Sequence, residues 1–344
     1  MYGATAGKVG WLGIKAVTNQ AVLAITPKDE NKYNSRWLYW ALLHSADKLT
    51  GQVQGSGQPN LSKSLVDSHQ ILFPTKCEQT KIAAILDTLD TALQRTEAII
   101  EKLKQVKQGL LHDLLTRGID ANGELRPTPT EAPDRYKNSP VGLIPKAWEC
   151  KILDDLAEFE NGNTFDARAW SGDGLPIIRI QNLNGSREFN YYTGKSCPRW
   201  HVYPGDLLFA WAGQRGISFG ARIWSGPEGV LNQHIFKVSP FQRVVSKIFL
   251  YRLLRFYQNR IEDTAHGFKD SFLHVSRKEL GGINIGVPNA DEQSCLEMRI
   301  SEFEGKESEE EESLLKLINM KFGLMDDLLT GRVRVTDLLA AAPG

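Results

Sequence analysis

Apolar side chains recur in two stretches of the chain at alternating spacings of four and three residues. The first runs through Ile82, Leu86, Leu89, Leu93, Thr96, Ile100, Leu103, Lys107, Leu110 and Leu114. The second runs through Leu296, Ile300, Phe303, Glu307, Glu310, Leu314, Leu317, Lys321, Leu324 and Leu328. A mean spacing of 3.5 residues is the seam of a coiled coil. Each stretch therefore predicts a helix of about 40 residues, about 60 Å at the α-helical rise. Thr75-x-x-Glu78 and Asn289-x-x-Glu292 each follow a proline and predict capped starts, and Gly118 and Gly331 predict the stops. Packed antiparallel, the two seams would make a rod with a globular part at either end. The alternative is two separate helices, each buried on its own domain.

Elsewhere the pattern changes to short apolar runs bounded by turn residues. Ile177 to Ile180, Asp206 to Phe209 and Ile283 to Val287 predict strands, and Lys247 to Ile261 predicts a helix, with Trp37 to Leu49 playing the same part earlier in the chain. The stretch Asp120 to Ser139, with Pro127, Pro129 and Pro133, predicts a polar linker. The fold class expected is α+β.

The same landmarks occur twice. Asn19-Gln20 and Pro27 match Asn232-Gln233 and Pro240 at an offset of 213. Leu61-Ser62, Pro74, Glu78-Gln79, Gly109 and Leu114-Leu115-Thr116 match Val275-Ser276, Pro288, Glu292-Gln293, Gly323 and Leu328-Leu329-Thr330 at 214. A register held over a hundred residues marks a tandem duplication. The copies are unequal, because roughly Pro140 to Leu208 has no counterpart in the first. The expectation is either a truncated first copy or a start codon inside a longer reading frame. The domains predicted are 1–74, helix 75–118, linker 119–139, a complete module 140–288, helix 289–333 and a tail 334–344.

Composition narrows the function classes. The 344 residues hold 41 Lys+Arg against 41 Asp+Glu and are 41% hydrophobic, enough for packed cores. No apolar run approaches the length of a membrane helix, and no secretion signal opens the chain, so a cytoplasmic protein is expected. Four dispersed cysteines form no C-x-x-C pair. Residues 140–288 carry 18 basic against 14 acidic side chains, and residues 1–74 carry 7 against 4. Residues 289–333 carry 5 against 12, with an acidic run over Glu307–Glu312 that is either a solvated face or a dock for a basic partner. Mildly basic heads suit nucleic acid, although such a charge is ordinary for a domain of this size. Gly3-Ala4-Thr5-Ala6-Gly7-Lys8 is one residue short of a phosphate loop, and Val9 stands where Ser or Thr is needed. The seven histidines include no pair at metal-ligand spacing, and Glu304-x-Lys306 has no companion aspartate on a strand. No active site is indicated.

With these residues assembled, the chain resembles the specificity subunits of type I restriction–modification enzymes, with the first target recognition domain truncated at its N-terminus. Pro176-Ile177-Ile178-Arg179-Ile180-Gln181-Asn182-Leu183 resembles that family's early strand, and Tyr203-Pro204-Gly205-Asp206-Leu207-Leu208 its glycine–aspartate strand. Pro74 with Glu78-Gln79, and Pro288 with Glu292-Gln293, resemble its helix starts, and Leu111 to Gly118 its helix ending. The resemblance implies two mixed, mostly β target recognition modules, the first incomplete, separated by two long antiparallel coiled-coil helices. It implies a non-catalytic reader of a bipartite DNA site, with the helices as spacer and as dock for two modification subunits. Those partners and the restriction subunits would hold S-adenosylmethionine, ATP and magnesium, and this chain no cofactor.

DNA contacts are expected from polar and basic side chains beside turns. The candidates are Arg179, Gln181, Asn182 and Arg187 around the Asn184-Gly185 turn, Arg215 in a glycine-rich loop, Lys269, Ser271 and His274, and in the first copy Gln58 and Lys63. For each, the competing reading is a satisfied turn residue or a surface charge. Asn232-Gln233 and Asn19-Gln20 recur in both copies, which argues for a structural role, since two modules should read different bases. Three functions stay open: a DNA-specificity subunit, a coiled-coil protein adaptor, and, against the missing motifs, a self-sufficient methyltransferase or nuclease. Self-dimerisation of the truncated chain also stays open.

Overall fold

The computed structural model describes residues 7–51, 61–268 and 272–340. In chain order the elements are α1 Ser35–Gly51, α2 Lys63–Asp67, α3 Lys76–Thr116, β1 Tyr136–Ser139, β2 Gly142–Pro145, β3 Glu149–Ile152, β4 Ala157–Asn161 and β5 Leu175–Ile178. Next come α4 Ile180–Leu183, β6 Asn190–Tyr192, β7 His201–Val202, β8 Leu207–Ala210, β9 Ala212–Gly213, β10 Gly220–Ile223, β11 Gly229–Leu231 and β12 Ile235–Pro240. The chain finishes with α5 Lys247–Phe256, α6 Gln258–Thr264, β13 His266–Phe268, β14 Phe272–His274, α7 Arg277–Gly281, β15 Asn284–Val287, α8 Ala290–Leu329 and α9 Thr336–Ala340. The class is α+β.

The chain divides into two compact units, residues 1–104 with 306–344, and residues 105–305, so that the division falls inside both long helices. Every seam position named above is buried or half-buried in α3 and in α8. In the first unit the two helices run antiparallel: Asp90 pairs with Lys321 at 2.5 Å, and Lys104 with Glu311 at 3.3 Å. In the second unit Leu114 and Leu115, near the end of α3, share a core with Leu296 and Ile300, near the start of α8.

Both helix starts are built as the sequence predicts, by side chains that satisfy the orphan amides of a first turn. Glu78 accepts from the Thr75 amide and hydroxyl, and the Glu292 amide donates to Asn289. The glutamine that follows is a buried clamp. Gln79 Nε2 donates to the carbonyls of Pro74 and Lys32, and Gln293 Nε2 to those of Pro288 and Val244. The repeated Glu-Gln is therefore architectural, tying each long helix to the segment that precedes its short partner, α1 or α5. Asn34 caps α1 through the Trp37 amide, and Ser246 caps α5 through the Phe249 amide. Ser62 and Ser276 cap α2 and α7 in the same way. The stops also hold: Gly118 and Gly331 adopt φ of 63° and 73°, a conformation that disfavours side chains.

The first unit has a small helical core of Trp37, Trp40, Ala41, Ile82, Ala83, Leu86, Met325, Leu328 and Val335. Among its described residues there is no strand. Among the described residues, the sheets all lie in the second unit. One is four-stranded and antiparallel in the order β10-β8-β12-β4; another runs β6-β5-β11-β7, with β11 parallel to β5. Ile178, Leu208, Leu231 and Ile235 fill the space between them. The helix expected over Lys247–Ile261 is two helices, α5 and α6, joined at Tyr257.

Candidate nucleic-acid interface

Four chain segments meet where the two sheets abut. The three-residue link from β11 to β12, Asn232-Gln233-His234, lies at the centre. Asn232 N donates to Ile178 O at the end of β5, Asn163 N to Leu231 O, and Trp211 N to His234 O. The exits of β4, β5 and β8 are thereby fixed to one another, each by a backbone bond. Gly162 allows this approach, because a Cβ there would stand 2.1 Å from the Asn232 carbonyl oxygen. Side chains complete the junction. Trp211 Nε1 donates to Asn161 Oδ1 and to Gln233 O, both at 3.1 Å, and Thr164 Oγ1 donates to Gln233 Oε1. Gln233 is thus a structural residue, as its recurrence in both copies suggests.

Next to the junction, β9 pairs with β14, setting Ala212 opposite His274 and Gly213 opposite Leu273. The hairpin β13–β14 and the loop from Gln214 to Ser218 stand side by side. At the hairpin base His266 Nε2 lies 2.6 Å from Glu279 Oε1. Hydrogen bonds from the Ser276 hydroxyl and amide, and then from His266, pull the Glu279 carboxyl down to about 2.

The sequence candidates fare differently. Arg179 follows β5 at the junction, but its guanidinium stacks over Trp170 at 4.3 Å and donates to Asn190 Oδ1. Asn182 is buried and its amide is spent: Oδ1 accepts from Arg179 N, and Nδ2 donates to the carbonyls of Ser186 and Glu188. It closes the turn and offers nothing to a groove. Gln181 and Arg187 are exposed on either side of that turn. Arg215 is held by Asp263 at 3.1 Å and by the Glu262 carbonyl at 3.2 Å, a loop anchor. His274 is exposed beside Ala212. Lys63 is the exposed first residue of α2 in the other unit. Gln58, Lys269 and Ser271 lie outside the described residues. Sequence reading passed over Asn163, Trp211, Gln214 and His234. Their only linear signal is a polar residue at a strand end, which is common; strand pairing is what brings them together. Among the described residues no cluster of three or more His, Cys, Asp or Glu could hold a metal ion.

A comparison with known proteins bears on this geometry. The family model of the type I restriction modification DNA specificity domain matches residues 1–105 and 145–315. The chain belongs to this family of DNA-specificity chains. The MjaVIII specificity subunit of a type I restriction enzyme from Methanocaldococcus jannaschii is 25% identical over 98% of this chain and 78% of its own length. The EcoBI specificity subunit from Escherichia coli is 28% identical over 44% of this chain and 31% of its own. Among solved structures, the S subunit of a type I system from M. genitalium superposes with a TM-score of 0.51 at 16% identity, covering 88% of this chain and 74% of that one. A type I restriction–modification structure described in terms of complex assembly gives 0.53 at 15%, covering 89% and 73%. These structures share the fold of recognition modules and long helices. A specificity chain of this family binds DNA, assembles with other subunits and is not itself the catalyst. No helix among the described residues is long and apolar enough to cross a membrane.

Proposed function

We propose that this chain reads one half of a bipartite DNA site with residues 140–288, and that residues 1–74 belong to the reader of the other half. The observation that carries the reading is the junction of four segments around Asn232-Gln233-His234, which brings half-buried polar side chains together at one fixed sheet end in a module of this family. Base edges in a groove are read by such groups, and phosphates by surrounding Lys and Arg. The long helices serve as the spacer between half-sites and as the dock for two modification subunits, with restriction subunits joining the assembly. S-adenosylmethionine, ATP and magnesium belong to those partners, and this chain carries no cofactor of its own. The site of action is the cytoplasm.

Single-molecule methylation mapping of DNA from cells that express this chain with its modification subunit tests the proposal. An asymmetric bipartite adenine motif is the expected outcome. A palindromic motif would mean that two chains pair and each reads with residues 140–288. Absence of any methylation, with the complex assembled, would favour a protein adaptor.

A further inference from the structure

The loop Gln214-Arg215-Gly216-Ile217-Ser218, between β9 and β10, is fixed to a degree unusual for a surface turn. The amides of Ile217, Ser218 and Phe219 converge on the Gln214 carbonyl at 3.2, 3.1 and 3.4 Å, and Gln214 N donates to Ser218 Oγ at 2.7 Å. Gly216 N donates to Glu262 Oε1, a carboxylate with 2% exposure that also accepts from Gln258 Nε2. Arg215 binds Asp263 and the Glu262 carbonyl, and Arg222 donates to the Ile217 carbonyl at 3.0 Å. Gly213, at φ 146°, leaves no room for a Cβ beside Ser218. Burying a carboxylate is costly unless hydrogen bonds compensate it. Here the buried carboxylate holds a loop at the surface, so the conformation of that loop is what the arrangement maintains.

The loop presents two side chains. Ile217 is 56% exposed although its N–H and C=O are both bonded, and the exposed Gln214 makes no side-chain hydrogen bond among the described residues. Gln214 directly follows β9, which pairs with β14 of the hairpin, and Ile217 lies three residues on in the same loop. A glutamine pairs with adenine through N6 and N7, and an aliphatic side chain packs on the thymine methyl group. We infer that this loop is a rigid reading head, in which Gln214 and Ile217 recognise an A·T pair of the half-site. The inference rests on the DNA-reading function proposed above and deepens it by assigning specificity to two residues.

The test uses the complete methyltransferase complex and a duplex carrying its methylated motif, with a scrambled duplex as reference. Gln214→Ala, Ile217→Ala and Ile217→Thr are each expected to lower the motif-to-scrambled affinity ratio about tenfold, the worth of one base contact. Neither residue is charged, so the salt dependence of binding should not change. Methylation mapping should show relaxed choice at one A·T position while the rest of the motif holds. A ratio within twofold of the unsubstituted complex overturns the inference and leaves the DNA-reading function standing. A fall in Tm, or equal weakening on both duplexes, overturns it too, because the loop would then be only structural. An unsubstituted complex that fails to distinguish motif from scrambled duplex sinks the DNA-reading function itself.

Discussion

Trp224, Val230, Ile235 and Val238 of the second copy are at most 5% exposed, whereas their counterparts Trp11, Val17, Val22 and Ile25 are 51%, 99%, 53% and 45% exposed. Similar residues in matching order meet opposite fates. In the second copy β10, β11 and β12 hydrogen-bond to β4, β5, β7 and β8, every one drawn from residues 157–210. Residues 22–27, which match β12, form no strand and pair with none among the described residues. The same holds for β15, which pairs with β3, while its counterpart keeps Leu72 and Phe73 exposed. The helices behave differently. The short helices α1 and α5 are both capped, both clamped by a glutamine and both buried on a long helix. A helix closes its hydrogen bonds within its own segment, whereas a strand is stabilised only by its neighbours. Where strand neighbours are absent the matching apolar residues stay exposed, while the helices of both copies still form.

If that account is right, core truncations in the two short helices should cost alike. Phe249→Ala and Trp37→Ala are each expected to destabilise their units by about 3–5 kcal/mol, the usual range for a buried aromatic, read by denaturant unfolding. Insensitivity of the Trp37 variant would mean that the first unit is not packed as described. The capping glutamates sharpen the comparison. Glu292 pairs bidentately with Arg126 and accepts from Ile119 N, with Glu292 buried and Arg126 mostly so. Glu292→Ala should therefore cost about 3–5 kcal/mol, since Arg126 is left uncompensated. Its counterpart Glu78 meets Arg334, which is mostly exposed, and Glu78→Ala should cost less, about 1.5–3 kcal/mol. Equal costs would contradict the difference in burial.

The strand positions give the clearest contrast in ratio. Ile235→Ala is expected to cost about 2–5 kcal/mol, and Val22→Ala less than about 0.5 kcal/mol. Acid titration separates Glu78 from a simple surface charge. Hydrogen bonds from Arg334 and from the Thr75 amide hold its carboxyl below the ordinary 4.5. A depressed folded value contributes stability that is complete above the ordinary value and is lost as pH falls through the folded one. Melting curves of Glu78→Gln should accordingly flatten below about pH 4.5 relative to the parent chain. The smallest effect belongs to the half-exposed Lys104–Glu311 pair, where Lys104→Ala should change stability by less than about 1 kcal/mol.

Much was legible in the linear order. The 3.5-residue seam located both long helices, Pro74 and Pro288 with their Glu-Gln followers marked the starts, and Gly118 and Gly331 the ends. Each is a local signal, set by side chains within a few turns of one another. The strands at Ile177, Leu207 and Ile285 were visible for the same reason. The interface was less so. Arg179 and Asn182 looked like groove-reaching side chains, yet one is stacked on Trp170 and the other is sealed in its own turn. Nothing near Arg179 in sequence announces Trp170 as a partner, nor Asp263 as the partner of Arg215.

The sequence by itself determined the duplication, the helices with their caps and seam, and the family, because those depend on spacing along the chain. Tertiary structure alone decided which polar side chains meet at the junction, and that residues 22–27 form no strand while Ile235–Pro240 form a central one. Burial and strand pairing depend on partners distant in sequence, and the same apolar residue is core or surface according to whether those partners are present.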